Sequence, residues 1–255
     1  MKRVVRTSIS LLREAQSLSA AIAPLKQAGE LLGLPMVSVN ADYASNELLH
    51  DGLGRPVAEA FGWDTQILSS WLDEALTPFS PVGAACRVHH RPFAWRPEGF
   101  IRPSQGRFDT PQDKFVDFLA MLGVTGGITT PVRMPLGRVG SVSWFSYDRR
   151  FNLERALRDE EDSFMLLGHY FMDAVKRVDE TEAVPDGVLD LSRREIECLT
   201  WVALGKTDAE IAAIIGRSPS TARFHVDKAV EKLNAIGRTQ AVAKAAQLGL
   251  LSPVV

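Results

Sequence analysis

The residues of this chain that could do chemistry with a charged partner cluster between positions 206 and 228. They are Lys206, Thr207, Ser218, Ser220, Thr221, Arg223, Asp227 and Lys228. Hydroxyls and backbone N–H groups at a helix start hold phosphate oxygens, and lysine adds positive charge. Arginine can donate two hydrogen bonds to one guanine edge, and aspartate can accept one from cytosine. These side chains could therefore hold phosphate groups, and Arg223 is the first candidate for a contact to a base.

Four short helices are expected to position these side chains. The apolar spacing predicts helices over residues 193–204, 208–215, 219–233 and 238–248. Ser192 and Glu195 have the spacing of a capping box, and Thr207 can cap the second helix. Ser218 followed by Pro219 marks the start of the third helix. Taken alone, that third helix also fits the solvated side of a small bundle about equally well.

One spaced pattern runs through this region without a gap. It reads E-x-x-x-L-x-W-x-A-x-G-K-T-x-x-E-I-A from Glu195 to Ala212 and continues with Ser218, Thr221, His225, Lys232-Leu233 and Arg238 to Ala241. This pattern resembles the LuxR-type, GerE-like helix-turn-helix. The resemblance covers about sixty contiguous residues, Leu191 to Leu251.

The resemblance implies how the four helices would work. The third helix would enter the major groove of double-stranded DNA, and the fourth would pack two copies together. A homodimer would then read two half-sites of a promoter operator and could contact RNA polymerase. His225, within the third helix, is expected to pack against the bundle.

Length and charge set limits on this interpretation. The chain has 255 residues and a formal net charge of −2, and its length predicts two domains. From Asp186 to Val255 there are nine Lys or Arg and eight Asp or Glu. Since that region is almost neutral, DNA binding cannot rest on bulk charge and must depend on the placement of single residues.

The order of predicted elements indicates an α+β chain. Residues 1–178 are predicted to form a sensor domain, an α/β/α sandwich on an antiparallel sheet. Acidic residues with Pro185 and Gly187 predict a linker over 179–190, and residues 191–255 form the all-α four-helix domain. No stretch is long and apolar enough to span a membrane, so a cytoplasmic protein without membrane contact is expected.

Several elements of the first domain are predicted individually. Helical spacing over 11–32 contains Pro24, which should kink or divide the helix, and the helix over 65–76 should end before Pro78. Residues 80–103 are predicted to form a strand and a loop. Further expectations are a strand over 36–41, a helix over 109–122 capped by Asp109 or Thr110, a hairpin of 128–134 with 139–147, and a long helix over 153–178.

A second, more diffuse resemblance concerns the end of the first domain. Gly123 to Val132 is glycine-rich, Gly137, Gly140 and Ser143 follow, and Trp95 comes after Pro92-Phe93. These features resemble the autoinducer-binding domain that precedes this helix-turn-helix in quorum-sensing LuxR regulators. In that family a tyrosine, a tryptophan and the aspartate of an Asp-Pro-Val triplet hold an acyl-homoserine lactone. This chain has Ser80-Pro81-Val82, which aligns Trp63 with the tyrosine and Ile67 with the tryptophan.

These changes predict an altered ligand or none. An amide N–H buried without its carboxylate acceptor costs about 1–3 kcal/mol, although the Ser80 oxygen could recover part. The effector could be an acyl-homoserine lactone or another apolar signal. The aromatic candidates are as well explained as core residues. The candidate ligand residues are Trp63, Ile67, Trp71, Ser80, Phe93, Trp95, Phe118, Thr129 and Ser143.

Other functional classes have little support in the sequence. Cys86, His89 and His90 would alternate along a strand and lack a fourth ligand, so no metal site is expected. Without a nucleophile motif or a phosphate loop, neither an enzyme nor a cofactor is expected. Three alternatives stay open: a ligand-independent regulator, an anti-activator that binds another protein, and a phosphorylated response regulator.

Overall fold

The computed structural model describes residues 3–73, 76–102, 113–134, 137–178 and 190–251. The chain divides into two compact units. The first contains the elements up to the helix that ends at Val178, and the second contains those from the helix that begins at Arg193. The proposed linker over 179–190 lies outside the described residues except for Asp190.

A five-stranded antiparallel sheet forms the centre of the first unit, so the predicted α/β/α sandwich on an antiparallel sheet is confirmed. The sheet order is β1-β5-β4-β2-β3, which makes β1 and β3 edge strands. The predicted hairpin is also present, because Gly126 pairs with Ser146 and Arg133 with Val139. The strands are β1 (Met36–Asn40), β2 (Phe93–Arg96), β3 (Gly99–Arg102), β4 (Gly126–Arg133) and β5 (Val139–Ser146).

Three helices cover one face of this sheet: α1 (Arg3–Glu14), α2 (Leu18–Leu31) and the long α8 (Leu153–Val178). Because side chains alternate along a strand, Val37, Val142 and Trp144 point into this layer and are fully buried there. Trp144 meets Phe164 of α8 with ring centroids 5.2 Å apart. This layer holds the larger apolar core of the unit.

Short helices cover the other face, where a second apolar cluster is centred on the alternate strand residues Phe93, Trp95 and Phe145. Phe115 and Leu119 pack against them. Helix α3 (Val57–Ala60) contacts the edge strand β1, and its Val57 packs into the larger core. The helices on this side are α4 (Thr65–Asp73), α5 (Leu76–Phe79), α6 (Pro81–Val88) and α7 (Asp113–Met121). The expected caps of α7, Asp109 and Thr110, lie outside the described residues.

Prolines do not end helices where the sequence predicted. Pro24 lies inside α2, and the break between α1 and α2 falls earlier, where the Ser17 side chain caps α2 by accepting from the Ala20 N–H. Pro78 lies in α5, a single helical turn whose first N–H groups have no partner within the helix in any case.

The expected strand around Cys86 is wrong, because Pro81–Val88 is helix α6. Ser80 is its N-cap, with Oγ accepting from the Gly83 N–H, and Pro81 takes the first helical position. Gly83 lets this helix approach Tyr43 closely, since a Cβ there would lie 2.5 Å from the tyrosine ring. The strands predicted nearby begin only at Phe93.

The second unit matches its predicted helices within one residue at each end. They are α9 (Arg193–Ala203), α10 (Asp208–Ile215), α11 (Pro219–Lys232) and α12 (Arg238–Gln247). Ser192 with Glu195 and Thr207 with Glu210 form complete capping boxes. Gly216 closes α10 in the left-handed conformation, with φ of 65°. In the part of the chain that is described, no helix has the length and apolar character needed to cross a bilayer.

Candidate functional sites

One face of α11 is exposed and chemically varied. Ser220, Arg223, Phe224 and Asp227 all lie in solvent. The opposite face buries Ala222, Val226 and Ala229 against the rest of the unit. We call the four exposed residues the α11 face, and their spacing at one helical turn allows them to meet one partner together.

The charged pair on this face is weakly held. Arg223 Nε lies 3.7 Å from Asp227 Oδ2, and the two side chains are 73% and 67% exposed. An exposed ion pair of this kind contributes at most about 1 kcal/mol. Arg223 is therefore available to exchange Asp227 for a stronger hydrogen-bond acceptor.

Hydroxyl groups cluster at the N-terminus of α11. Ser218 Oγ accepts from the Thr221 N–H at 3.2 Å, and it lies 2.8 Å from both Ser220 Oγ and Thr221 Oγ1. Together with the Ser220 N–H at the helix start, these hydroxyls can donate to an anionic oxygen. The structure thus brings six of the predicted residues onto α11 or its start: Ser218, Ser220, Thr221, Arg223, Asp227 and Lys228.

Lys206, Thr207 and Lys228 each contact a glutamate carboxylate of the same unit. Thr207 caps α10, where its hydroxyl also donates to Glu210 Oε2 at 2.8 Å. Lys206 Nζ lies 3.4 Å from the Glu210 carboxylate. Lys228 Nζ contacts Glu231 Oε2 at 2.6 Å, and the hydrogen bond to Glu231 raises the pKa of Lys228. These two lysines would have to leave a carboxylate before contacting phosphate.

Phe224 is a residue of the α11 face that the motif did not single out. Its side chain is 56% exposed and its ring lies 5.7 Å from that of the half-buried His225. An exposed phenylalanine contributes little to folding, but it can make an apolar contact with a thymine methyl group. The sequence could have indicated that Phe224 is exposed. It lies two residues from each of the inward positions Ala222 and Val226, so it is on the opposite side of the helix, next to Arg223.

Replacing Phe224 with alanine is therefore expected to leave stability unchanged and to weaken DNA binding. We expect the melting temperature to stay within error and the affinity for duplex DNA to fall several-fold, because less apolar area is buried against the bases. Differential scanning fluorimetry and fluorescence anisotropy measure the two quantities. A large drop in melting temperature would instead show that Phe224 stabilises the unit.

The first unit contains a cavity on the α6 side of its sheet. Its volume is about 90 Å³, the space of a few water molecules and below the ~300–1,000 Å³ of typical small-molecule sites. Trp63, Trp71, Ser80, Trp95, Phe118 and Ser143, six of the nine predicted ligand residues, line it. The wall also contains Ser38, Val39, Asn40, Tyr43, Glu47, Leu48, Ala58, Leu68, Thr77, Val82, Phe115, Leu119, Leu122 and Phe145, which the sequence did not indicate.

Three predicted ligand residues are not among those that line the cavity. Phe93 is fully buried beside Phe100, with ring centroids 5.6 Å apart. Thr129 lies behind the wall, where its hydroxyl bonds with Ser143 Oγ at 2.8 Å. Ile67 is partly buried on α4, whose next residue, Leu68, lines the cavity instead.

The indole N–H groups of the cavity wall are all used within the protein. Trp63 Nε1 donates to the backbone oxygen of Val37 at 2.6 Å, on the open edge of β1. Trp71 Nε1 donates to Thr77 Oγ1 at 2.7 Å, and Trp95 Nε1 donates to Thr129 Oγ1 at 2.9 Å. The tryptophans therefore offer a ligand their ring faces rather than their polar atoms.

Cys86 and His89 both lie in apolar surroundings. Cys86 is fully buried, and burial raises the pKa of its thiol to about 12, so it stays protonated. His89 packs its ring 5.6 Å from that of Phe93. Within the described ranges, no group of three or more His, Cys, Asp or Glu side chains could hold a metal ion.

A sandwich unit with an aromatic-lined cavity and a helix-turn-helix unit in one chain define a two-part transcriptional regulator. The chain belongs to the LuxR family of bacterial regulatory proteins. The family model of the autoinducer binding domain matches residues 20–175, and that of bacterial regulatory proteins of the luxR family matches residues 189–245.

Known proteins agree with this assignment. The quorum sensing-dependent regulator RpaR of Rhodopseudomonas palustris is 30% identical over 194 residues, which cover 75% of this chain and 74% of RpaR. The activator AhyR of Aeromonas hydrophila is 30% identical over 52% of this chain. The chain spans about half the length of AhyR and of several other curated relatives. Escherichia coli SdiA shares the fold, with a TM-score of 0.60, 21% identity and coverage of 97% and 98% of the two chains.

Proposed function

We propose that this LuxR-family regulator binds a small, mainly apolar molecule in its first unit and thereby controls operator binding by its second unit. The observation that carries the proposal is the cavity, whose wall contains seven aromatic side chains: Tyr43, Trp63, Trp71, Trp95, Phe115, Phe118 and Phe145. The space of about 90 Å³ left between these rings admits an apolar group, and a whole ligand would require the surrounding side chains to move apart. No other cofactor is part of the proposal.

The proposed ligand differs from a standard acyl-homoserine lactone in how its head group is held. Ser80 stands where the family pattern has aspartate, and its hydroxyl oxygen already caps α6. Trp63 stands at the tyrosine position with its N–H bound to Val37. A lactone head group would therefore meet fewer polar partners here, which supports another apolar signal.

The second unit is proposed to act as a homodimer on double-stranded DNA. In this family pattern α11 enters the major groove, and α12 pairs two copies so that an operator with two half-sites is read at a promoter. The inner face of α12 is buried through Ala241 and Ala245 against Leu199, which leaves Gln240, Ala243 and Ala246 exposed for a second copy. Contact with RNA polymerase would follow from binding beside a promoter.

The alternative functions differ in their support. A response regulator is disfavoured, because its receiver needs parallel strands in βα repeats and this sheet is antiparallel throughout. An anti-activator that acts through protein interaction is favoured by one observation, the near-neutral charge of the second unit. A ligand-independent regulator would have the same α11 face with an empty cavity.

Native mass spectrometry of the purified chain tests the sensor proposal. We expect a small molecule to co-purify with the wild-type protein and to be lost from Ala58→Phe, which places a ring in the cavity from the half-exposed helix α3. Ala60→Phe is the matched control, because Ala60 lies on the same helix, is exposed and is not part of the wall. If Ala58→Phe and Ala60→Phe retain the same molecule equally, it binds elsewhere.

A further inference from the structure

Helix α12 packs against the rest of the second unit mainly through small side chains. The two residues that it buries are Ala241 and Ala245. They belong to one apolar cluster with Leu199 of α9 and Leu233 of α11, to which partly buried side chains of α12 add. Because a methyl group buries little area, this apolar packing sets the direction of α12 only loosely.

A lysine of α12 reaches the end of α11. In the last turn of α12, Lys244 Nζ donates to the backbone oxygens of Leu233 at 3.1 Å and of Asn234 at 2.7 Å. These two residues follow the last residue of α11, and Asn234 reverses the chain in the left-handed conformation, with φ of 47°. A cation beside a helix C-terminus also interacts favourably with the helix dipole. Lys244 therefore ties α12 to the C-terminal end of α11.

An arginine at the other end of α12 reaches the turn before α10. Arg238 is the first residue of α12, and its Nη2 donates to the backbone oxygen of Lys206 at 3.3 Å. Its Nη1 lies 3.3 Å from Asp208 Oδ1, with the two side chains 42% and 29% exposed. An open groove of about 550 Å³ lies between this end of α12 and the turn, and both line it. The Arg238 side chain therefore spans a gap that apolar packing does not fill.

The two elements tied to α12 are those that carry the proposed contacts with DNA. Lys206 and Thr207 belong to the turn, and Arg223 lies on α11. The outer side of α12, with Gln240 and Ala243, is proposed to meet a second copy. Since α12 lies between both sets of contacts, its direction sets the distance and angle between the two α11 helices of a dimer.

We propose that Arg238 and Lys244 are positioning residues that fix the half-site spacing which the dimer accepts. The inference rests on the proposed homodimer and names a determinant of its operator specificity. Neither residue has to touch DNA for this role. Without the two ties, α12 can turn relative to α11, and the dimer then fits operators of several spacings.

Two duplexes test this inference with the full chain. The first is an operator that wild-type protein selects from a random pool, and the second has one base pair added between its half-sites. The added pair shifts one half-site by about 3.4 Å and turns it by roughly 35° about the DNA axis. Fluorescence anisotropy at fixed salt gives both affinities, and their ratio is the spacing preference. A general loss of charge or of folded protein lowers both affinities and cancels in the ratio.

Wild-type protein is expected to prefer the selected spacing by at least about tenfold, because half-sites out of register cannot be bound together. Arg238→Gln and Lys244→Met should each reduce this preference by about threefold to tenfold. Lys244→Arg keeps a cationic donor for the carbonyl groups after α11 and should keep the preference. Arg194→Gln is the matched control and should also keep it, because Arg194 pairs with Glu197 on its own helix.

The outcomes separate the inference from the proposed function. If wild type prefers the selected spacing and a variant keeps that preference, the positioning role of the substituted residue is overturned while the homodimer stands. The same holds if sedimentation shows the variant to be monomeric where wild type is dimeric, since the residue then acts on pairing. A wild-type protein without spacing preference would contradict the homodimer itself. If Lys244→Met does not fold, Arg238→Gln decides, because the partly exposed Arg238 pair contributes little to stability.

Discussion

Arg223→Ala is expected to abolish most of the sequence preference of this regulator. A bidentate contact to a base is worth about 1–3 kcal/mol, so affinity for the preferred duplex should fall about tenfold to a hundredfold per half-site. Affinity for unrelated sequence should fall less, because the α11 N-terminus and its hydroxyls still hold the backbone. The weak pair with Asp227 would not compensate, since both side chains are largely in solvent.

The measurement needs a DNA sequence that the protein prefers. Such a duplex is obtained by selecting the sequences that wild-type protein binds from a random pool. Fluorescence anisotropy then compares the selected duplex with a scrambled one for each variant at fixed salt, because salt strongly changes protein–DNA affinity. Arg194→Ala is the matched control: it removes the same charge from α9, where Arg194 pairs with Glu197 at 2.6 Å. If the Arg223→Ala protein prefers the selected duplex over the scrambled one as strongly as wild type does, Arg223 does not read bases.

Glu195→Ala is expected to destabilise the second unit more than other substitutions of charged residues there. Glu195 completes the capping box of α9, with Oε2 accepting from the Ser192 N–H at 2.8 Å. The same carboxylate meets Lys232 Nζ at 2.9 Å, and the Glu195 side chain is only 8% exposed. Removing one partner of a fully buried ion pair costs about 3–5 kcal/mol. Because the Lys232 side chain is 29% exposed and can turn to water, we expect a smaller loss of about 2 kcal/mol, the lost cap included.

Urea unfolding followed by tryptophan fluorescence measures this loss, since Trp201 is the single tryptophan after residue 190. Glu197→Ala is the control on the same helix, where a more exposed pair with Arg194 should contribute less than about 1 kcal/mol. Equal stability of Glu195→Ala and Glu197→Ala would contradict a structural role for the buried pair.

The same carboxylate makes the second unit sensitive to acid. Burial alone raises the pKa of Glu195, but the hydrogen bonds from Lys232 and Ser192 outweigh burial and hold the pKa below its usual value of 4.5. Because the folded pKa is depressed, this contribution to stability is complete above the unfolded pKa and is lost as pH falls through the folded value. Glu195→Gln should therefore show a weaker loss of stability below about pH 4.5.

Local signals made the second unit predictable from sequence. Capping boxes, Ser218-Pro219 and Gly216 each involve residues within one helical turn, so boundaries could be placed within one residue. The same type of signal was present at Ser80-Pro81, but the short apolar pieces that follow, broken by polar and proline residues, were interpreted as a strand and a loop. The structure shows that the serine-proline pair starts a helix there as well.

Contacts distant in sequence explain what could not be predicted in the first unit. The alternation of β1 already separates Ser38 and Asn40 from Val37, yet only the pairing of β1 with β5 brings Asn40 into one wall with Ser143. The bond from Trp63 to Val37 depends on β1 being an edge strand, a property of sheet order. Residue type indicated several aromatic side chains in the first unit, while strand register decides which of them line the cavity.

The central claim, that a molecule in the cavity controls DNA binding, is tested most directly by the affinity for the selected duplex with and without a saturating cavity ligand. Full-length wild-type protein, Ala58→Phe and Ala60→Phe would be titrated by anisotropy, using N-methyl octanamide or the co-purified molecule. Coupling between sites typically changes affinity about 5–150-fold. We predict such a change for wild type and Ala60→Phe and none for Ala58→Phe. Identical DNA affinity of the wild-type protein with and without bound ligand would contradict the account.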